Sequence, residues 1–127
     1  MILALKILCG LFAALMAMFG ARWWFGFAGI EAEWQVDALN NIGVNNLTAD
    51  MGALFFGTAI LVALGFRQGQ SHWLLSAAVL MLVAAAGRVW VYATLGYEAS
   101  TVTALGVEVV AASVLFVTHK RLNSPGS

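Results

Sequence analysis

Charge is what this chain has least of. Only 9% of its 127 residues are Asp, Glu, Lys or Arg, against ~25% in an ordinary soluble domain. Hydrophobic residues make up 62% and the mean hydropathy is +0.91. A chain so poor in charge cannot cover itself with a hydrated surface, and it reads as an integral membrane protein. Its six basic and six acidic residues cancel, so no basic patch exists to neutralise phosphates and nucleic acid is excluded as a partner. Cysteine is nearly absent. Cys9 stands alone inside an apolar run, which rules out a disulfide within the chain and leaves a small packing residue. No Cys/His set has metal-ligand spacing and both histidines sit at the ends of apolar runs, so neither a metal, a haem nor another cofactor is expected. The only proline is Pro125, so no helix is expected to carry a proline kink. There is no internal repeat.

What is present is four long apolar segments: 2–27, 47–66, 72–95 and 101–118. About 20 helical residues cross a ~30 Å hydrocarbon core. Lipid offers backbone groups no other partner, and segments this long cannot be barrel strands. The expectation is an all-α, single membrane domain over 1–127, an integral membrane four-helix bundle with a long connection at 28–46. Lys6 before an apolar stretch mimics a signal peptide. However, Arg22-Trp23-Trp24 is an odd exit and no small-x-small cleavage site precedes it, so the segment reads as an uncleaved span.

Lys6, Arg67, Lys120 and Arg121 share one side with His72 and His119, whereas Glu31, Glu33, Asp37 and Glu98 share the other. That asymmetry puts both termini in the cytoplasm. The expected location is therefore a membrane, crossed several times. Trp23, Trp24, Trp34 and Tyr97 are expected to form an outer aromatic belt and Trp73 an inner one. Within 28–46, residues 30–38 alternate apolar and polar like a strand, but a lone strand has no partner. A short interfacial helix with Trp34, Ala38 and Ile42 on one face is expected instead, followed by a turn at Gly43, Asn45 and Asn46.

Four charges interrupt the apolar segments, one in each: Arg22, Asp50, Arg88 and Glu108. At ~1.5 Å per residue, each lies within roughly 5–12 Å of the outer end of its segment. Ionised groups at such depths cost at least ~2.5–3.5 kcal/mol near the bilayer centre and usually pair, face inward and mark function. Two cations and two anions at one depth would form a neutral cluster. Two of them also have a local explanation. Arg22 can snorkel beside Trp23 and Trp24, and Asp50 can serve the first turn of a helix capped by Thr48. Arg88 shares a face with Ala84, Ala85, Val91 and Tyr92, and Glu108 with Ala104, Ala111 and Ala112. Alanine-rich faces are where membrane helices approach closely, so these two are expected to meet. Tyr92 and Trp90 are the supporting candidates beside Arg88. The ladders Ala13, Ala17, Ala21 and Ala49, Ala53, Gly57 are read as further packing seams.

The run Thr48-Ala49-Asp50-Met51-Gly52-Ala53-Leu54-Phe55-Phe56, with Ala86-Gly87-Arg88, resembles an uncharacterised bacterial four-helix membrane family, domain-of-unknown-function family 4345, itself distantly DoxX-like. Ala49 stands where that motif would have glycine. The resemblance implies a bacterial inner-membrane bundle and supplies no reaction. Three functions compete. The first, preferred, is a non-enzymatic binding or accessory module for a small amphiphilic ligand, a lipid headgroup, or a partner membrane subunit or second copy. Next comes a small proton-coupled transporter working through Glu108, although segment one lacks the acid such transporters use. Last is a membrane enzyme acting on a lipid or isoprenoid with Asp50 or Glu108 as general acid/base. The catalytic residues are unknown.

Overall fold

The computed structural model describes residues 1–126 and is all-α. Its helices are α1 (Ile2–Phe25), α2 (Phe27–Glu33), α3 (Asn41–Gly65), α4 (His72–Leu95) and α5 (Val102–Leu122), with a single 3-10 turn at Ala99–Thr101 before α5. There is no strand among the described residues. Helices α1, α3, α4 and the stretch Ala99–Leu122 are long and apolar enough to cross a membrane. The chain divides into two compact units. One comprises Leu11–Ile60, the other Met1–Gly10 with the chain from Leu61 onward.

Within Leu11–Ile60 the core is aromatic. Trp23 and Ile30 are fully buried, Met16 and Phe55 nearly so, and Phe19, Phe27 and Trp34 pack against them. The rings meet edge to face: Trp23 with Phe27, Trp23 with Trp34, and Trp34 with Phe55. This arrangement sets the positive ring edge on the negative face. Glycine makes room for such bulk. A Cβ added at Gly20 would sit 2.8 Å from the Phe56 ring, and one at Gly52 would collide with the Trp24 indole. The seam of α3 therefore runs through Gly52 and Phe55, not through the expected Ala49, Ala53 and Gly57. Ala49 and Ala53 are exposed, and Gly57 faces open space. Trp23 is likewise a core anchor and no member of an interfacial belt, because the turn after α1 folds rings over it.

The connection after α1 is shaped by backbone hydrogen bonding. Gly26 (φ −130°, ψ 41°) ends α1 and starts α2. At the far end of α2, Gln35 adopts φ +54°. There its N–H donates to the Ala32 carbonyl and that of Val36 to the Glu31 carbonyl. That pair of bonds is a Schellman closure, with glutamine in the left-handed position glycine usually takes. A helix does replace the strand-like alternation, as expected, but it covers 27–33 and leaves Ala38 outside. The start of α3 also differs from the expected 47. Asn40 Oδ1 accepts from the N–H groups of Ile42 and Gly43, an N-cap that satisfies two orphan donors and starts the helix at Asn41. Thr48 is consequently no cap and Gly43 no turn, and Asp50 lies about 14 Å into α3 instead of in its first turn.

In the other unit, α4 and α5 pack through alanine. Leu74, Ala77, Ala78, Met81 and Ala85 are buried on α4, and Ala111, Ala112, Leu115 and Thr118 on α5. Their spacing of three and four residues draws one stripe along each helix. Side chains this small let the backbones come close. At one end Cys9 Sγ and Thr118 Oγ1 meet at 3.4 Å, both buried.

Candidate functional site

The alanine stripes run on to the two charges that sequence reading singled out. Arg88 follows Ala85 by three residues, and Glu108 precedes Ala111 by three. Arg88 Nε donates to both carboxylate oxygens of Glu108, at 2.9 and 3.0 Å. The side chains are 32% and 12% exposed. Such a charge-assisted pair is stronger than a neutral hydrogen bond, and here the α4–α5 seam sets its geometry.

The guanidinium is engaged through Nε alone. Its two terminal amino groups have no partner among the described residues. One turn further along α4, Tyr92 Oη and Thr101 Oγ1 lie 2.6 Å apart, and the Tyr97 ring stands 5.4 Å from that of Tyr92. Arg88–Glu108 and Tyr92–Thr101 thus form a two-rung polar ladder between α4 and the start of α5. Trp90 is no part of it. It is 69% exposed, and two residues from Arg88 on a helix means the far face.

The other two charges behave differently. Arg22 pairs with Glu33, through Nη2 and Oε2. From sequence alone Glu33 reads as a loop acid beside Glu31 and Asp37. The signal was present in Gly26, whose break lets α2 fold back so that an acid only eleven residues on reaches Arg22. Closing so short a loop costs little entropy. The Arg22 guanidinium, by hydrogen bonding, holds the Glu33 carboxyl below the usual carboxylate range. Asp50 is exposed and makes no ion pair or side-chain hydrogen bond among the described residues.

Along the α4–α5 pair lies an apolar groove of about 400 Å³, between Leu75, Val79 and Leu82 on one side and Val109, Ala112 and Phe116 on the other. Val109 is adjacent to Glu108 in sequence, and Leu82 lies ~9 Å down the α4 axis from Arg88. The groove therefore runs from the level of the ion pair toward the His72 end of α4. A more open hollow of about 440 Å³ borders Trp24, Asn41, Asn45 and Thr48 and has no charged lining. No group of three or more His, Cys, Asp or Glu among the described residues has metal-binding geometry. Comparison with family models, curated proteins and solved structures finds no match to this chain.

Proposed function

We propose that this chain is a multi-pass protein of a bacterial inner membrane, with both termini cytoplasmic and its spans gathered as a four-helix bundle. In this reading it acts as a non-enzymatic binding or accessory module for an anionic, lipid-like ligand, held at Arg88. The observation that carries the reading is the Nε-only pairing of Arg88 with Glu108. A guanidinium held in place by its inner nitrogen presents its two outer amino groups as a fork, the geometry that receives a carboxylate or phosphate in parallel hydrogen bonds. The apolar groove on the same helix pair, which reaches the level of the ion pair at Val109, supports an amphiphile: head at Arg88, chain toward Phe116. The resemblance of residues 48–56 and 86–88 to the four-helix family 4345 supplies no reaction, and its distantly DoxX-like character favours an accessory role. Arg22 is paired with Glu33 and Asp50 makes no ion pair among the described residues, so neither is assigned to the proposed site.

The test uses laurate, a carboxylate on an apolar chain, titrated into the purified chain in a neutral detergent and followed by calorimetry. Saturable binding that Arg88→Gln abolishes, while Arg22→Gln retains it, supports the reading. Equal binding by the Arg88 variant overturns it. Two further outcomes would replace it. Flux across vesicles that depends on pH and disappears in Glu108→Gln would make the chain a transporter. Turnover of a lipid by the protein alone would make it an enzyme.

A further inference from the structure

A second site lies at the opposite end of α4, in the same unit. The chain leaves α3 at Gly65 and turns through Gly69 at φ +73° before α4 begins. Beneath this turn is a cavity of about 260 Å³ lined by Lys6, Arg67, Gln68, Ser71 and Asn123 among others. Two cations face it, and no carboxylate does. The acids of this unit are Glu98 and Glu108 alone. Glu98 accepts from Ser100, and Glu108 is engaged by Arg88. Glu108 also lies ~16 Å along α5 from His119, the residue that borders this end. Neither Lys6 nor Arg67 makes an ion pair or side-chain hydrogen bond among the described residues.

The wall of the cavity is held in place independently of those cations. Asn123 Nδ2 donates to Ser71 Oγ at 2.8 Å, and His119 Nδ1 lies 3.0 Å from the Ser71 carbonyl. Ser71 is buried. These bonds tie the start of α4 to the end of α5, so the cavity has a fixed side. Two like charges lining one cavity repel one another, and an anion beside them lowers that cost.

We propose that this cavity binds a phosphate oxyanion, with Lys6 and Arg67 as its charge partners and the Gln68 amide as a neutral donor. The volume suits a phosphate or phosphoglycerol group and is below the ~300–1,000 Å³ of sites that enclose drug-sized molecules. The oxyanion can be the headgroup of an acidic phospholipid, for which basic pockets at the ends of membrane helices are suited, or free phosphate. The site stands apart from Arg88 and does not depend on the function proposed above.

The experiment places the full chain in nanodiscs and compares it with Lys6→Gln/Arg67→Gln and Lys120→Gln/Arg121→Gln. Lipid retained after extraction from mixed phosphatidylglycerol and phosphatidylcholine discs is counted by native mass spectrometry. Inorganic phosphate is titrated calorimetrically into discs of phosphatidylcholine alone. The unaltered chain is expected to retain phosphatidylglycerol preferentially, and Lys6→Gln/Arg67→Gln to lose about tenfold or more of that preference. The Lys120/Arg121 variant is expected to keep it. Phosphate binding in phosphatidylcholine discs, lost in the same double variant, identifies the free ion as a source; lipid enrichment without it identifies the headgroup. Lys6 and Arg67 are exposed, so the variants should remain folded, as circular dichroism would verify. The proposal fails if the Lys6/Arg67 variant behaves as the unaltered chain. It fails equally if Lys120→Gln/Arg121→Gln removes as much preference, or if neither phosphate nor phosphatidylglycerol binds.

Discussion

The two units achieve order by opposite means. Leu11–Ile60 is built on large rings seated against glycine, and its ion pair, Arg22–Glu33, closes locally with side chains 34% and 54% exposed. The unit containing α4 and α5 is built on alanine, and its ion pair joins two long helices with Glu108 only 12% exposed. The contrast teaches that bulk and closeness are alternatives. Rings fix a core by volume, and a charge nearby is incidental to it. Alanine brings two helices close enough for a short polar contact to become part of the seam.

Removing a ring should do the most harm. Trp23→Ala empties the centre of the aromatic core, a change that costs about 3–5 kcal/mol for a buried aromatic. Trp23 Nε1 is buried without a hydrogen-bond partner, so Trp23→Phe, which also deletes that donor, should cost far less than the alanine variant. Thermal unfolding in detergent reads both. A Trp23→Phe variant as damaged as Trp23→Ala would mean that indole shape, and not ring volume, holds this core.

The α4–α5 pair comes next. Arg88→Ala leaves Glu108 unpaired at the seam, and its cost should fall between the ~0.2–1 kcal/mol of an exposed pair and the ~3–5 kcal/mol of breaking a buried one. Adding Glu108→Ala should recover part of the loss. A double-mutant cycle measures that coupling, and strict additivity would show that the two charges contribute independently.

The smallest effect belongs to Glu33. Its folded carboxyl is held below its unfolded value by Arg22. The stabilisation is therefore present above the unfolded carboxylate pKa near ~4.3 and disappears as pH falls through the lower, folded value. The unaltered chain should hold a slight advantage over Glu33→Gln at neutral pH, and the two melting curves should converge in acid. Curves that stay apart at low pH would separate the effect from the ion pair.

Much of the architecture was legible because it follows from hydropathy and period. Four apolar runs long enough to cross a bilayer stand out from composition, and the stripe Ala85–Arg88–Tyr92 could be read against Ala104–Glu108–Ala111 because helical spacing alone places them. What was not legible depends on bonds between near neighbours. The cap at Asn40 moves the start of α3 by six residues, and no hydropathy profile distinguishes it from the Thr48 alternative. Gly20 and Gly52 look like any small residue until a ring is laid upon them. Glu33 was hidden by its own exposure, since an acid in a loop carries no sign of the helix that brings it back to Arg22.

The early start of α3 also bears on the bilayer this chain suits. Its 25 residues measure about 38 Å at ~1.5 Å each, some 8 Å more than a ~30 Å hydrocarbon slab. The apolar part of α3 begins at Leu47, so the excess length is met by tilting, or by leaving the more polar turns at 41–46 among headgroups. The exposed amides of Asn41 and Asn45 make the second accommodation inexpensive. With its first turn and a half standing proud of the acyl chains, α3 would carry the Asp50 carboxylate only about one turn below their boundary, within reach of water.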